Sequence, residues 1–100
     1  MVQKVRQTFR HNLQKGIHMP KPRTQSGEKN LISHNLIQLR EMNHMSQRNL
    51  AQQLQLAGYD IDKNVITRIE TNKRYVTDIE LKALSDIFQI SIDSLINGCF

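Results

Sequence analysis

Five polar side chains in the middle of the chain recur at a helical spacing and share the chemistry needed to recognise base edges. They are Lys63, Asn64, Thr67, Arg68 and Thr71. In a helix the last four share one face, with Lys63 at its N-terminal end. Arginine and lysine donate to guanine, asparagine can pair with adenine through two hydrogen bonds, and a short helix fits the major groove. This face carries no carboxylate, but a solvated helix surface is an equally good interpretation from composition alone.

Further hydrogen-bonding side chains flank this helix and are predicted to contact phosphates or an outer base pair. Gln47 and Arg48 begin the preceding helix, and Lys73, Arg74 and Tyr75 follow the third one. Four acidic residues lie in the last two predicted helices: Asp78, Glu80, Asp86 and Asp93. Because acidic and basic groups are separated along the chain, we expect phosphate contacts on one side of the domain.

No pattern in the sequence predicts a metal, cofactor or catalytic site. The histidines lack the spacing of zinc ligands and have no cysteine cluster beside them; they are His11, His18, His34 and His44. The glycines are scattered, so no phosphate-binding loop is recognisable. Asp60 and Asp62 are interpreted as a turn residue and a helix cap. We therefore expect no enzymatic activity and no cofactor.

The positive charge is concentrated near the start of the chain. The formal charge is +5 and the pI is about 9.7. Residues 1–30 carry seven Lys and Arg side chains against Glu28 as the one acid. Residues 1–29 are predicted to be a basic arm and linker, and residues 30–98 to be the folded domain. A basic arm fits a polyanionic partner, but a solvated tail is an equally simple interpretation.

Three interpretations of the arm remain open. It is a tail or an added leader, a dimerising or docking helix, or an arm that follows DNA. The helical spacing of Val2, Val5, Phe9 and Leu13 favours the second. No stretch of the chain approaches the roughly 20 apolar residues of a membrane helix, and no secretory signal is recognisable. These features predict a cytoplasmic, nucleoid-associated protein that makes no contact with a membrane.

One local pattern predicts where four short helices begin. An apolar residue precedes a capping residue, and a second apolar residue follows four positions after the cap, as in a hydrophobic staple. The caps are Ser46, Asp62, Thr77 and Ser91. A fifth helix, with Ile32, Leu36 and Leu39 on one stripe, precedes them. We expect an all-α, compact five-helix bundle with helices at 31–42, 47–57, 63–71, 78–88 and 92–97, and with Gly58, Asn72 and Gly98 as stops.

The combined pattern resembles the helix-turn-helix family of phage lambda repressor and Cro. The resemblance covers nearly all of residues 31–98. It is carried by Leu36, Leu39, Arg40, Glu41, Met45, Ser46, Gln47, Leu50, Ala51, Leu54, Ile66, Thr67, Arg68, Ile69, Glu70, Asn72, Lys73, Leu81, Leu84 and the stretch 90–98. It implies a five-helix domain in which the second and third helices form the DNA-binding motif.

The resemblance also implies roles for individual residues. Gln47 would contact a phosphate and an outer base, and Arg40 with Glu70 would form a structural ion pair between the first and third helices. Base edges would be read by Lys63, Asn64, Thr67 and Arg68, and the DNA backbone would be met by Lys73 and Arg74. The chain departs from the family pattern by about five extra residues around 55–60, which lengthen the second helix or widen the turn. It also has Asn72 where glycine is usual, and asparagine tolerates the left-handed conformation.

These observations predict a sequence-specific, repressor-type regulator that binds double-stranded DNA. The resemblance, together with the small size of the reading surface, implies a homodimer on a palindromic operator. The alternative is a protein-interaction module on the same fold, such as an antitoxin-like or adaptor protein. The basic face at 63–74 favours DNA, whereas an exposed apolar stripe on the arm would favour a protein partner.

Overall fold

A computed structural model describes residues 22–100, and the regular structure within them consists of five α-helices. They are α1 (Ser33–Met42), α2 (Gln47–Leu56), α3 (Lys63–Glu70), α4 (Asp78–Phe88) and α5 (Ile92–Asn97). The prediction of an all-α, five-helix domain is therefore confirmed. The helical spacing of Val2, Val5, Phe9 and Leu13 lies outside the described residues. None of the helices described is long and apolar enough to cross a membrane.

Capping side chains start four of the five helices, as the sequence predicts. The caps are Ser46, Asp62, Thr77 and Ser91, and each accepts a hydrogen bond from the backbone N–H three residues further on. A cap of this kind stabilises a helix by about 1 kcal/mol because that N–H has no partner within the helix. The first helix begins at Ser33 instead of residue 31. Its cap position is Ile32, which has no side-chain oxygen to offer.

The predicted helix stops are also observed. Gly58, Asn72 and Gly98 have φ angles of 95°, 60° and 71°, in the left-handed region. Gln89 ends α4 with a φ of 56°, and no glycine or asparagine in the sequence signals this stop.

Apolar side chains from all five helices form the core. The first helix packs on α3 and α5, the second packs on α3 and α4, and α4 packs on α5. The largest side chains that are fully buried are Ile32, Leu36, Leu50, Leu54, Ile66, Ile69, Leu84 and Leu95. Burying one such side chain stabilises a protein by about 1.5–3 kcal/mol. The apolar residues that flank the four caps all belong to this core or pack against it: Met45, Leu50, Ile61, Ile66, Val76, Leu81, Ile90 and Leu95.

The connection between α2 and α3 is attached to the rest of the domain at two points. It spans residues 57–62. Ile61 is buried in the core, and the Tyr59 hydroxyl donates to Asp86 Oδ2 on α4 at 2.8 Å. Lys82 Nζ donates to the same oxygen at 3.0 Å. These contacts fix the course of the turn, and therefore the direction in which α3 leaves it.

The Asp86 contacts predict an acid-dependent loss of stability. The hydrogen bonds from Tyr59 and from Lys82 lower the pKa of Asp86 below its ordinary value. The stability that these hydrogen bonds give the folded protein is therefore fully present above the ordinary aspartate pKa of about 3.9. It is lost as the pH falls through the lower pKa that Asp86 has in the folded state. We expect Asp86→Asn to lower the Tm at pH 6 and to match the wild type at the acid limit. Thermal melts from pH 6 to pH 2 measure this difference.

The matched control is Asp60→Asn, because Asp60 is an exposed residue of the same turn. We expect this control to change the Tm by less than Asp86→Asn at pH 6. If the difference in Tm between Asp86→Asn and the wild type is the same at every pH, ionised Asp86 does not stabilise the turn.

Candidate nucleic-acid interface

The third helix buries one face and leaves the predicted reading face outside. Ile66 and Ile69 are buried in the core, and Val65 is half-buried at its edge. On the other side Lys63, Asn64 and Arg68 are exposed, whereas Thr67 is half-buried. The structure therefore brings the four predicted base-reading residues together on one helix, although they differ in how freely they can reach a ligand.

The carboxylate of α3 is turned into the protein and neutralised there. Glu70 is 9% exposed. Arg40 on α1 donates from Nε to Glu70 Oε2 at 2.8 Å and from Nη2 to Oε1 at 3.1 Å. The hydrogen bond to Glu70 raises the pKa of Arg40 above its ordinary value, so the guanidinium stays charged. The exposed surface of α3 thus keeps the positive charge of Lys63 and Arg68 without an opposing carboxylate from the same helix.

Two of the four side chains predicted to read bases also form hydrogen bonds within the protein. Arg68 Nη2 donates to the Lys73 carbonyl at 3.3 Å, which leaves its other N–H groups available. The Thr67 hydroxyl lies 2.9 Å from Gln47 Oε1 and 3.0 Å from the Lys63 carbonyl. Within residues 22–100 the exposed Asn64 amide makes no hydrogen bond, which leaves its donor and acceptor atoms accessible.

Some of the residues predicted to contact phosphate are exposed, whereas others already contact groups within the protein. Arg48 and Lys73 are exposed. Arg74 forms an ion pair with Glu80 at 2.8 Å, and Lys29 Nζ lies 6.0 Å from the centre of the half-buried Tyr75 ring. Gln47 Nε2 donates to Glu70 Oε1 at 2.8 Å, so its amide faces α3.

A pair of asparagines fixes the start of the domain against the end of α3, and no local pattern in the sequence predicts this contact. Asn72 Oδ1 accepts from the backbone N–H groups of Lys29 and Asn30 at 2.7 and 3.2 Å. The buried Asn30 amide donates to the carbonyls of Ile69 and Arg74 at 3.2 and 3.1 Å. The sequence signalled Asn72 as a helix stop but gave no indication of what its side chain binds. As a result, the chain enters the domain beside the residues that follow α3.

An apolar groove of about 310 Å³ lies beside the start of the domain. Its walls include Pro22, Leu31, Val76, Leu81 and Ile96. No group of three His, Cys, Asp or Glu side chains in this part of the chain is placed to hold a metal ion.

Comparison with known proteins identifies the fold of the region that holds this face. A family model described as helix-turn-helix matches residues 36–95, which is more than half of the chain and includes α2, α3 and α4. A search of curated proteins and a search of solved structures each found no match. The matched region contains both Arg40 and Glu70, and every residue predicted to contact a base or a phosphate.

Proposed function

The chain belongs to the helix-turn-helix family, a family of DNA-binding transcription regulators, and from this membership we propose that it is a sequence-specific, repressor-type regulator. The proposal is that α3 lies in the major groove of double-stranded DNA and reads base edges there. The observation that carries it is the exposed face of α3, which presents Lys63, Asn64 and Arg68 while the carboxylate of the helix is buried.

The chemistry of the face supports a role for each reading residue. Asn64 has an amide that can accept from and donate to adenine, and Arg68 can donate two parallel hydrogen bonds to guanine. The contact between Arg68 and the Lys73 carbonyl holds the guanidinium near the end of α3. Lys63 at the start of the helix is suited to guanine or to a phosphate, and Thr67 lies between the two stronger readers.

Phosphate contacts are proposed for the residues around this face. Arg48 near the start of α2 and Lys73 after the end of α3 are both exposed and positively charged. Arg74 keeps several donors in addition to the one that binds Glu80. Gln47 and Tyr75 are proposed to lie at the edge of the contact, where an outer base pair or the sugar–phosphate backbone would meet them.

The connection at 57–62 is proposed to be longer than the corresponding turn in the family of lambda repressor and Cro. Tyr59 and Ile61 attach it to α4 and to the core. A longer, attached turn would change how steeply α3 enters the groove, and so which residues of α3 reach the bases. Asn64 lies in the first turn of α3 and Arg68 in the last, so both turns are candidates for contact with the bases.

We further propose that the protein acts in the cytoplasm, near the nucleoid, as a homodimer on a palindromic operator. The domain would span residues 30–98. Two half-sites recognised by a symmetric dimer of such domains would lie about 34–36 Å apart, one turn of DNA. A protein-interaction module is the second candidate, and it is supported by the apolar groove and by Ile79, which is 66% exposed.

Selection of binding sites from random DNA tests the proposal most directly. We expect an enriched inverted repeat that binds more tightly than a scrambled duplex. We also expect retention on heparin with steep elution by salt, because displacement of counterions accompanies each phosphate contact. Failure to enrich any sequence, together with weak heparin retention, would favour the protein-interaction module instead.

Deleting residues 1–19 is expected to leave the domain folded. The helices, their caps and the asparagine contacts of Asn30 and Asn72 all lie within residues 22–100. Circular dichroism and thermal melts of the shortened chain measure this result. A Tm more than about 5 °C below that of the full chain would show that the arm is part of the folded unit.

The same deletion separates the three interpretations of the arm. If the arm follows DNA, the slope of log Kd against log salt flattens by about 0.9 for each phosphate that the arm neutralises. An unchanged slope with a loss of dimer would assign the arm to a docking or dimerising helix, and no change in either would assign it to a tail.

A further inference from the structure

The side chain of Gln47 connects the buried ion pair to the proposed reading face. Gln47 is the first residue of α2 and is half-buried. Its Nε2 donates to Glu70 Oε1 at 2.8 Å, and its Oε1 accepts from the Thr67 hydroxyl at 2.9 Å. Both partners belong to α3, so a single amide joins the start of α2 to two residues of the third helix that lie three positions apart.

The direction of this amide is determined by its surroundings. The Glu70 carboxylate can only accept hydrogen bonds, and Arg40 fixes its position with contacts at 2.8 and 3.1 Å. Arg40 is itself held by the Met45 carbonyl at 3.0 Å. Gln47 must therefore present its NH₂ group to Glu70. Its carbonyl oxygen then faces Thr67, which has to act as the donor.

Because of this arrangement, the Thr67 hydroxyl has no hydrogen left to donate to DNA. Its hydroxyl has a single hydrogen, and both acceptors within reach, Gln47 Oε1 and the Lys63 carbonyl, belong to the protein. The hydroxyl is held toward these two groups and has no hydrogen to donate to a ligand, which leaves the methyl group and the accepting lone pairs of the oxygen to make contact. In the major groove, the apolar partner for such a methyl is the C5-methyl of thymine.

From these contacts we infer that Gln47 is a positioning residue for base recognition, which holds Thr67 so that its methyl group selects thymine. This inference rests on the proposed function. It adds a positioning role to the outer contact with DNA proposed for Gln47 above, and it makes Thr67 an apolar reader between two polar ones, Asn64 and Arg68.

Replacement of single thymines by uracil in the selected operator tests the inference, because uracil lacks only the methyl group. For the wild type we expect one position per half-site at which uracil weakens binding by about fourfold, the equivalent of one buried methyl group. Thr67→Val carries a methyl group on both branches of Cβ, so one methyl keeps its place without the hydrogen bond to Gln47, and this variant should retain the penalty. Thr67→Ser keeps the hydroxyl and should lose it.

Variants of Gln47 test its positioning role. Gln47→Met removes both hydrogen bonds at similar size, and we expect the uracil penalty to fall below twofold. Gln47→Lys can still donate to Glu70 but cannot accept from Thr67. Its added charge should strengthen binding to all DNA, while the uracil penalty still falls. Gln52→Met, a change at an exposed position of the same helix, should retain the fourfold penalty.

Several results would overturn the inference. One is a wild type that is insensitive to uracil at every position. Another is a Gln47→Met variant that weakens binding to operator and scrambled duplex alike but keeps the uracil penalty, which would identify Gln47 as a phosphate contact. Retention of the penalty in Thr67→Ser but not in Thr67→Val would show that the hydroxyl reads the base. A wild type that prefers no selected duplex over a scrambled one would instead refute the proposed function.

Discussion

Replacing Asn64 or Arg68 by alanine should weaken binding to the selected operator by about 1–3 kcal/mol and binding to a scrambled duplex far less. Both side chains are exposed on α3, one turn apart, and both have the fixed geometry that base edges require. Because a scrambled duplex offers no matched base edge, only the operator loses a partner. Titration of each variant against both duplexes at several salt concentrations measures the difference.

Two matched variants make this prediction specific. Lys73→Ala should weaken binding to both duplexes nearly alike and reduce the salt slope by about one unit, as expected for a phosphate contact. Asn97→Ala, a substitution at an exposed position at the end of α5, should alter neither the affinity for the two duplexes nor the salt slope. If Asn64→Ala and Arg68→Ala lose the same binding free energy on both duplexes, α3 does not read the bases. The connection at 57–62 would then be the first feature to re-examine.

Removing the carboxylate of Glu70 should destabilise the domain by about 3–5 kcal/mol, the usual cost of leaving one member of a buried ion pair without its partner. The exposed fractions of the Arg40 and Glu70 side chains are 16% and 4%, so Glu70→Ala leaves a guanidinium poorly solvated. Gln47 loses an acceptor at the same time. For a domain of this size, we expect a fall in Tm of about 12 °C or more.

Glu41→Ala provides the comparison for this change. Glu41 neighbours Arg40 in sequence but is exposed, so its removal should shift the Tm by only a few degrees. A double variant, Arg40→Met with Glu70→Leu, should recover much of the stability, because apolar side chains of similar volume can replace a buried ion pair. Equal melting shifts for Glu70→Ala and Glu41→Ala would rule out a structural role for the ion pair.

The starts and stops of the helices could be predicted from the sequence because they depend on contacts between near neighbours. A cap such as Ser46 or Thr77 binds an N–H three residues away, and the left-handed stop at Gly58 depends on that residue alone. The hydrophobic period then indicated which side of α3 is buried. From this, the outward placement of Asn64 and Arg68 followed without knowledge of the fold.

Contacts between distant residues were decided by the tertiary structure. The pairing of Arg40 with Glu70, thirty residues apart, was expected only because the chain resembles a known family. The contacts of Asn72 with the backbone of Lys29 and Asn30 were not expected at all. A side-chain amide or carboxylate can satisfy its hydrogen bonds with many partners, and the sequence does not state which one the packing brings within reach.

The amide of Gln47 illustrates the same division at the proposed reading face. Its position at the start of α2 is a local property, determined by the Ser46 cap. The direction of its amide depends on Glu70, which depends in turn on Arg40 from another helix. The sequence alone therefore determined which side chains α3 presents outward. Only the packing of three helices decided that the Thr67 hydroxyl is committed to the protein, because hydrogen bonds of this kind form between groups that folding, not sequence, places side by side.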